Sequence, residues 1–188
     1  MDIIFAYLDS KDSSVRYWTV YILKGKQPVE VLNKLIEMLK NPEQREVSIT
    51  NVLIKNNIDS LQDIYEKIYQ TDKSRDWQRS SIGYLSNFPK QNHKKIFLDI
   101  LENPKSDFFE KADACMGLAN LKDESSVDFI IQACEEQSAH SDYNVRTFLI
   151  ALSKIKGEKA RKYIEKYKNS KEKMVRNMAN ELLEDWDK

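Results

Sequence analysis

The sequence predicts an all-α protein built as an α-α solenoid, and three observations predict it. Glycine and proline are scarce, at four residues each in 188, and this composition favours helices over short strands joined by tight turns. Apolar residues recur at relative positions 0, 3, 4 and 7, the spacing that lines one face of a helix. The stripes themselves recur along the chain at a nearly constant interval, which is typical of repeat proteins.

Each predicted repeat begins with a helix whose stripe closes on a leucine or isoleucine. The closing residues are Ile22, Leu53, Leu85, Leu118, Leu152 and Leu182, which follow one another at steps of 31, 32, 33, 34 and 30 residues. In the first of these helices Trp18 shares the stripe with Val15 and Ile22. We therefore expect Trp18 to lie in the core, where its replacement by Ala would cost about 3–5 kcal/mol.

Five further stripes predict the second helix of each repeat. They cover residues 32–39, 61–68, 93–100, 127–134 and 160–167. Pro28 and Pro89 fall just before second helices, where the missing N–H costs little, and Pro42 and Pro104 break the chain between repeats. A helix at residues 2–9 and another at 174–186 are expected to cap the ends, because such hairpins bury their apolar faces only by stacking. The prediction is one domain over residues 1–188.

Three short runs carry a resemblance to a known family. Residues 12–16 (Asp-Ser-Ser-Val-Arg), 142–146 (Asp-Tyr-Asn-Val-Arg) and 172–176 (Glu-Lys-Met-Val-Arg) are each followed by small or apolar residues and a Leu or Ile. They resemble the first helix of HEAT repeats, particularly the short type shared with bilin-lyase-like proteins. Residues 76–79 are a looser copy, and the runs at 46 and 111 lack the arginine. The resemblance implies a right-handed superhelix of about five HEAT-like repeats.

The arginines of these runs have two interpretations. Arg16, Arg79, Arg146 and Arg176 form a column that could follow a nucleic-acid backbone, because guanidinium groups bind phosphate well. In families that this chain resembles, however, such arginines pair with acids in a structural ladder between repeats. An acid precedes three of them by four residues, at positions 12, 142 and 172. We expect the ladder.

Charge is balanced over the whole chain and uneven within it. The 30 Lys and Arg residues equal the 30 Asp and Glu residues, so the chain lacks the positive field of most nucleic-acid binders. Residues 99–142 hold eleven acids and three lysines, whereas residues 154–173 hold nine bases and three acids. Such a bipolar field would steer a protein partner of opposite pattern and disfavour a uniformly anionic polymer.

Few residues here could carry chemistry. His93 and His140 lack the partner spacing of a zinc site, and Cys115 and Cys134 are too few for a disulfide framework. We expect His93 to be buried and hydrogen-bonded and both thiols to be buried and reduced. Phosphate loops, nucleophile elbows and Cys-His signatures do not occur in the sequence. The prediction is no cofactor, no metal and no enzymatic activity.

A partner surface is predicted on the second helices. Apolar residues outside the four-position stripes are candidate anchors, and acidic residues beside them would form a charged rim, as at protein interfaces. The candidate anchors are Met38, Tyr69, Leu98, Leu101 and Phe129. The candidate rim residues are Asp99, Glu102, Asp128 and Glu135. Stacking of adjacent repeats would bring most of them into one patch.

Three functions follow as hypotheses. The first is a non-catalytic protein–protein interaction scaffold, expected to be a cytoplasmic monomer, since no stretch is long and apolar enough for a membrane span and the start lacks a secretory signal. The second is an immunity protein that neutralises a bacterial toxin, because an acidic patch suits a basic nuclease. The Lys-, Asn- and Ile-rich composition is compatible with an AT-rich bacterial genome.

The third hypothesis is a HEAT-like DNA glycosylase or other nucleic-acid binder, which would use aromatic side chains on a basic surface. Trp18, Trp77 and Trp186 could serve as those aromatics. Trp18 lies on a predicted core stripe, however, and acids at positions 184, 185 and 187 surround Trp186. Nucleic acid is therefore the least favoured partner.

Overall fold

A computed structural model of the chain describes residues 2–138 and 142–186, with the side chains of residues 2, 142 and 143 left out. Helices form all the regular structure of these residues, which confirms the all-α prediction. The α-helices are α1 (Asp2–Leu8), α2 (Ser13–Ile22), α3 (Val29–Lys40), α4 (Ile49–Lys55), α5 (Gln62–Thr71), α6 (Arg75–Asn87), α7 (Lys94–Glu102), α8 (Phe108–Asn120), α9 (Val127–Ser138), α10 (Arg146–Ile155), α11 (Glu158–Glu165) and α12 (Lys173–Glu184). Short 3-10 turns precede α7, α9 and α10 and follow α11. His140 and Asp187 lie outside the described residues.

The chain divides into two compact units, Met1–Tyr84 and Leu85–Lys188. In the second unit alternate helices pack together: α8 contacts α10 and α10 contacts α12, while α7 contacts α9 and α9 contacts α11. α10 also packs on α9 and α11, so these helices form two layers. The fully buried side chains between them include Phe97, Cys115, Leu118, Phe148 and Ile164. The winding of the repeats and the single-domain organisation stay predictions.

In the first unit α2 contacts α1 and α4, and α3 contacts α4. The tyrosines of α5 and α6 hold its core through a polar network. The rings of Tyr65 and Tyr84 stack at 3.9 Å, and Tyr65 is hydrogen-bonded to Thr50 at 2.9 Å. The Tyr84 hydroxyl donates to the Ile58 carbonyl at 2.5 Å and accepts from the Leu61 amide at 3.2 Å. Burial raises the pKa of Tyr84 to about 12, so the hydroxyl stays a donor at neutral pH.

The predicted core face of α2 is wrong by one residue. Trp18 is 59% exposed and Ile22 is 67% exposed, whereas Arg16, Thr19 and Val20 are buried. Polar side chains can occupy this buried face because each of them is hydrogen-bonded. The Thr19 hydroxyl donates to the Val15 carbonyl at 2.7 Å, and Arg16 makes four hydrogen bonds. A buried arginine with that many partners avoids the cost that normally excludes it from a core.

Arg16 has a structural role, but not with the predicted acid. Its Nη1 donates to the carbonyls of Ser10 and Lys11 at 2.9 and 3.1 Å, and its Nε lies 3.1 Å from Oε1 of Glu46. Asp12 instead caps α2 by accepting from the Ser14 amide at 2.8 Å. The expected Asp12–Arg16 pair is therefore wrong, and the arginine pairs with an acid from the following predicted repeat.

Arg176 repeats the loop contacts of Arg16. Its Nη1 donates to the carbonyls six and five positions earlier, those of Ser170 and Lys171, at 2.5 and 3.4 Å. Both arginines therefore fix the turn that leads into their helix. The side chain of Asp142, the acid expected to pair with Arg146, lies outside the described side chains.

The predictions for His93 and the two cysteines are confirmed. His93 is buried, and its Nδ1 accepts from the Lys90 amide at 3.0 Å. Cys115 and Cys134 are buried free thiols. Burial raises the pKa of Cys134 to about 11 and that of Cys115 well above its usual value, so both remain protonated and behave as small apolar side chains.

Candidate partner-binding surfaces

The four acids predicted to form a partner rim lie on α7 and α9. Asp99 and Glu102 lie on α7, Asp128 and Glu135 lie on α9, and all four are exposed. Because α7 contacts α9, the structure brings these acids onto neighbouring helices. We call these four residues the acidic surface.

Of the five predicted apolar anchors, two are buried and three are half-buried. Leu101 is only 4% exposed and Met38 only 1%, so the prediction that they are exposed contacts is wrong. Leu98 and Phe129 are half-buried, and Tyr69 is half-buried on α5 of the first unit. For Leu101 the physical reason is that α7 packs on both α8 and α9 and therefore buries a wider face than a four-position stripe.

Much of the acidic charge is neutralised within the protein. Lys95 Nζ lies 2.7 Å from Oδ2 of Asp99, and Lys159 pairs with Asp128. The second pair joins α11 to α9, so a base from the basic segment compensates an acid from the acidic one. The acidic surface therefore attracts a basic partner less strongly than the sequence suggests.

A buried lysine on α8 pairs with a glutamate on α9, the helix that also carries Asp128 and Glu135. Lys111 is 4% exposed, and its Nζ donates to Oε2 of Glu136 at 2.5 Å. This hydrogen bond, with the positive charge of Lys111, lowers the pKa of Glu136. The pair thus contributes stability that is present above the unfolded pKa of a glutamate, about 4.3, and is lost as pH falls through the lower folded value.

We expect Glu136→Gln to reduce the loss of stability on acidification. The measurement is urea unfolding at about pH 6 and about pH 3.5, on either side of the unfolded glutamate pKa. Glu135→Gln, an exposed neighbour outside the pair, is the control and should unfold like the wild type at both values. Equal acid sensitivity in Glu136→Gln and the control would contradict the assignment.

α2 presents a surface that the sequence patterns did not predict. Tyr17, Trp18, Tyr21 and Ile22 are 39%, 59%, 56% and 67% exposed and lie on one side of the helix. The rings of Tyr17 and Trp18 meet edge to face at 5.3 Å, and those of Trp18 and Tyr21 at 5.4 Å. Tyr17 stacks on Tyr21 at 6.1 Å. We call these four residues the α2 aromatic patch.

A signal for the patch exists in the sequence. Apolar and aromatic residues occupy positions 17, 18, 21 and 22 as well as 15 and 20, so the apolar surface of α2 extends well beyond one stripe. A helix of this kind is either buried all round or exposes an apolar face for a purpose. The 0, 3, 4, 7 spacing describes only one face of α2, and it does not account for the apolar residues on the rest of the helix.

A groove borders the α2 aromatic patch between α2 and α4. Its volume is about 270 Å³. It is lined by Val20, Tyr21, Leu23, Lys24, Ser48, Asn51, Val52 and Lys55. Lys26 also reaches it, since its Nζ donates to the Lys55 carbonyl at 3.3 Å. We call it the α2–α4 groove; among the described residues, its lining contains lysines and no acid.

A second groove, of about 520 Å³, lies between α3 and α5. Its charged lining has both signs, and the strongest pair is already made: Arg45 binds Asp72 and lies 4.9 Å above the ring of Trp77. This groove therefore offers an incoming ligand less unsatisfied charge than the α2–α4 groove does.

The described residues contain neither a cluster of metal ligands nor a membrane-spanning helix. No group of three or more His, Cys, Asp and Glu side chains there is placed to hold a metal ion. Within the same residues, none of the helices combines the length and the apolar character needed to cross a membrane. Comparison with protein-family models and with curated proteins finds no match to the chain.

Proposed function

We propose that this protein is a non-catalytic protein-interaction module and that the α2 aromatic patch is its principal contact surface. The observation that carries the proposal is the exposure of three neighbouring aromatic rings and Ile22 on one helix. Trp and Tyr are enriched among the residues that dominate binding energy at protein interfaces. A contiguous exposed apolar patch on a folded protein marks such a site.

The patch is not required by the packing of α2. The buried face of this helix is supplied by Arg16, Thr19 and Val20, and the hydrogen bonds of Arg16 fasten it to the preceding turn. Trp18, Tyr21 and Ile22 therefore leave more than half of their surface in water, and Tyr17 leaves 39%. A fully buried aromatic side chain covers roughly 150–250 Å², and the exposed part of each ring is the apolar area that a partner can bury at about 25 cal/mol per Å².

The experiment begins with affinity capture from the native source and continues with binding kinetics for the purified partner. The test variant is Trp18→Ser with Tyr21→Ser, and Phe109→Ser is the control, because Phe109 is an aromatic residue of similar exposure, 61%, outside the patch. We expect the double variant to bind at least about tenfold more weakly and the control to bind like the wild type.

Two outcomes would overturn this assignment. Unchanged affinity in a folded double variant would remove the α2 aromatic patch from the interface. If instead Asp99→Lys with Glu135→Lys weakened binding, and the loss shrank as salt rose, the acidic surface would be the interface. That second outcome would favour a basic partner such as a nuclease toxin, and with it the function of an immunity protein.

A further inference from the structure

We infer that the α2–α4 groove receives a short acidic segment of the partner, whose carboxylates contact Lys24 and Lys55 while an adjacent apolar side chain packs on the α2 aromatic patch. This inference rests on the proposed function and adds the chemistry of the partner segment. The groove and the patch are continuous, because Tyr21 belongs to both.

The groove has the dimensions and the lining of a peptide site. A volume of about 270 Å³ lies just below the roughly 300–1,000 Å³ of drug-sized ligand pockets, which suits one side chain with its flanking main chain. Val20 and Val52 are buried at its base, while Asn51 is exposed at its edge. Ser48 also belongs to the lining, and its buried Oγ has no hydrogen-bond partner among the described residues.

The charges at the groove specify an acidic ligand. Lys24 and Lys55 are exposed and line it, and Lys26 approaches it through the Lys55 carbonyl. Within the described residues no ion pair engages these three lysines, whereas Arg16 on α2 is paired with Glu46. Like-signed, uncompensated charges around an apolar groove favour a partner segment of the opposite sign.

The arrangement fits a peptide better than a nucleic acid. A bound strand presents phosphates at regular intervals and requires cations along its whole path. The exposed face of α2 carries aromatic and serine side chains but no base, because its only basic residue, Arg16, is buried. The first unit as a whole has twelve basic and twelve acidic residues. The described cations of the α2–α4 groove, Lys24 and Lys55, therefore do not continue along the exposed face of α2.

The test is selection from a phage-displayed library of random dodecapeptides on the intact protein. Three further immobilised proteins are screened in parallel: Lys24→Glu with Lys55→Glu, Trp18→Ser with Tyr21→Ser, and the control Lys40→Glu with Lys67→Glu, which reverses two exposed lysines of the same unit outside the α2–α4 groove. Unfolding midpoints establish that each variant is folded. A synthetic peptide from the enriched pool and oligothymidylate are then titrated against all four proteins.

We expect enriched peptides that combine Asp or Glu with a neighbouring aromatic or aliphatic residue. The synthetic peptide should bind at least about tenfold more weakly to the Lys24/Lys55 variant, while the control retains wild-type affinity. Replacing the acids of the peptide by lysine should restore binding to the Lys24/Lys55 variant. Restored binding after the charges of both the peptide and the protein are reversed would show that the peptide acids contact Lys24 and Lys55.

Other results overturn the inference and separate it from the proposed function. Peptides that lose binding in the Trp18/Tyr21 variant but not in the Lys24/Lys55 variant would leave the aromatic patch as an interface and refute the acidic ligand. Absence of any enrichment would refute it as well. Oligothymidylate that binds more tightly than the peptide at physiological salt would replace both proposals with nucleic-acid binding.

Discussion

Trp77→Ala is expected to lower the free energy of unfolding by about 3–5 kcal/mol, the usual cost of truncating a buried tryptophan. Trp77 is only 8% exposed, and it is held from above by the guanidinium of Arg45, 4.9 Å from the ring. Arg45 is in turn paired with Asp72. The substitution therefore opens a cavity and also removes the ring on which a paired arginine rests.

The same change at Trp18 is expected to cost about 1 kcal/mol or less, because a residue that is 59% exposed loses only ring contacts with Tyr17 and Tyr21. Urea unfolding followed by far-ultraviolet circular dichroism measures both variants without relying on tryptophan emission. Equal midpoints for the two variants would show that the side chains of α2 and α6 are not buried as described.

These two tryptophans show how far the sequence determines the fold. The existence and order of the helices follow from scarce glycine and proline and from repeated apolar spacing, and most predicted faces are correct. In α8, for example, Lys111, Ala114, Cys115 and Leu118 are all buried as the stripe requires. In α2 the choice of face depends on the hydrogen bonds of Arg16 with residues 10, 11, 43 and 46, and a local spacing pattern contains no information on such distant partners.

The candidate surfaces were predictable to a smaller extent. The acids of the acidic surface are exposed because hydrated carboxylates avoid burial without a partner. Leu101 is buried because α7 contacts α9 within its layer and α8 across layers, and Met38 on α3 is buried as well. Lys24 and Lys55, which line the α2–α4 groove, are 31 residues apart in the chain. They come together only because α2 packs on α4, which a local sequence pattern does not indicate.

The packing of α7 on α8 leads to the second large stability effect, at Gly117. A Cβ atom added to Gly117 would lie 2.5, 2.6 and 2.8 Å from Cζ, Cε2 and Cε1 of Phe97. Phe97 is fully buried, so its ring has no free space into which it can move. We expect Gly117→Ala to destabilise the protein by about 2 kcal/mol through overpacking, although alanine is favoured over glycine inside a helix by about 1 kcal/mol.

A double-mutant cycle with Phe97→Leu separates this steric effect from helix propensity. Leucine lacks the three ring atoms that a methyl group at position 117 would meet, so Gly117→Ala should cost little, or should stabilise the protein, in the Phe97→Leu background. Ala119→Gly, which removes a buried methyl group two residues later in α8, provides a control for an independent change in the same helix. Its cost should be nearly the same in both backgrounds. If Gly117→Ala also had the same effect in both, the close approach of α8 to the Phe97 ring would be refuted.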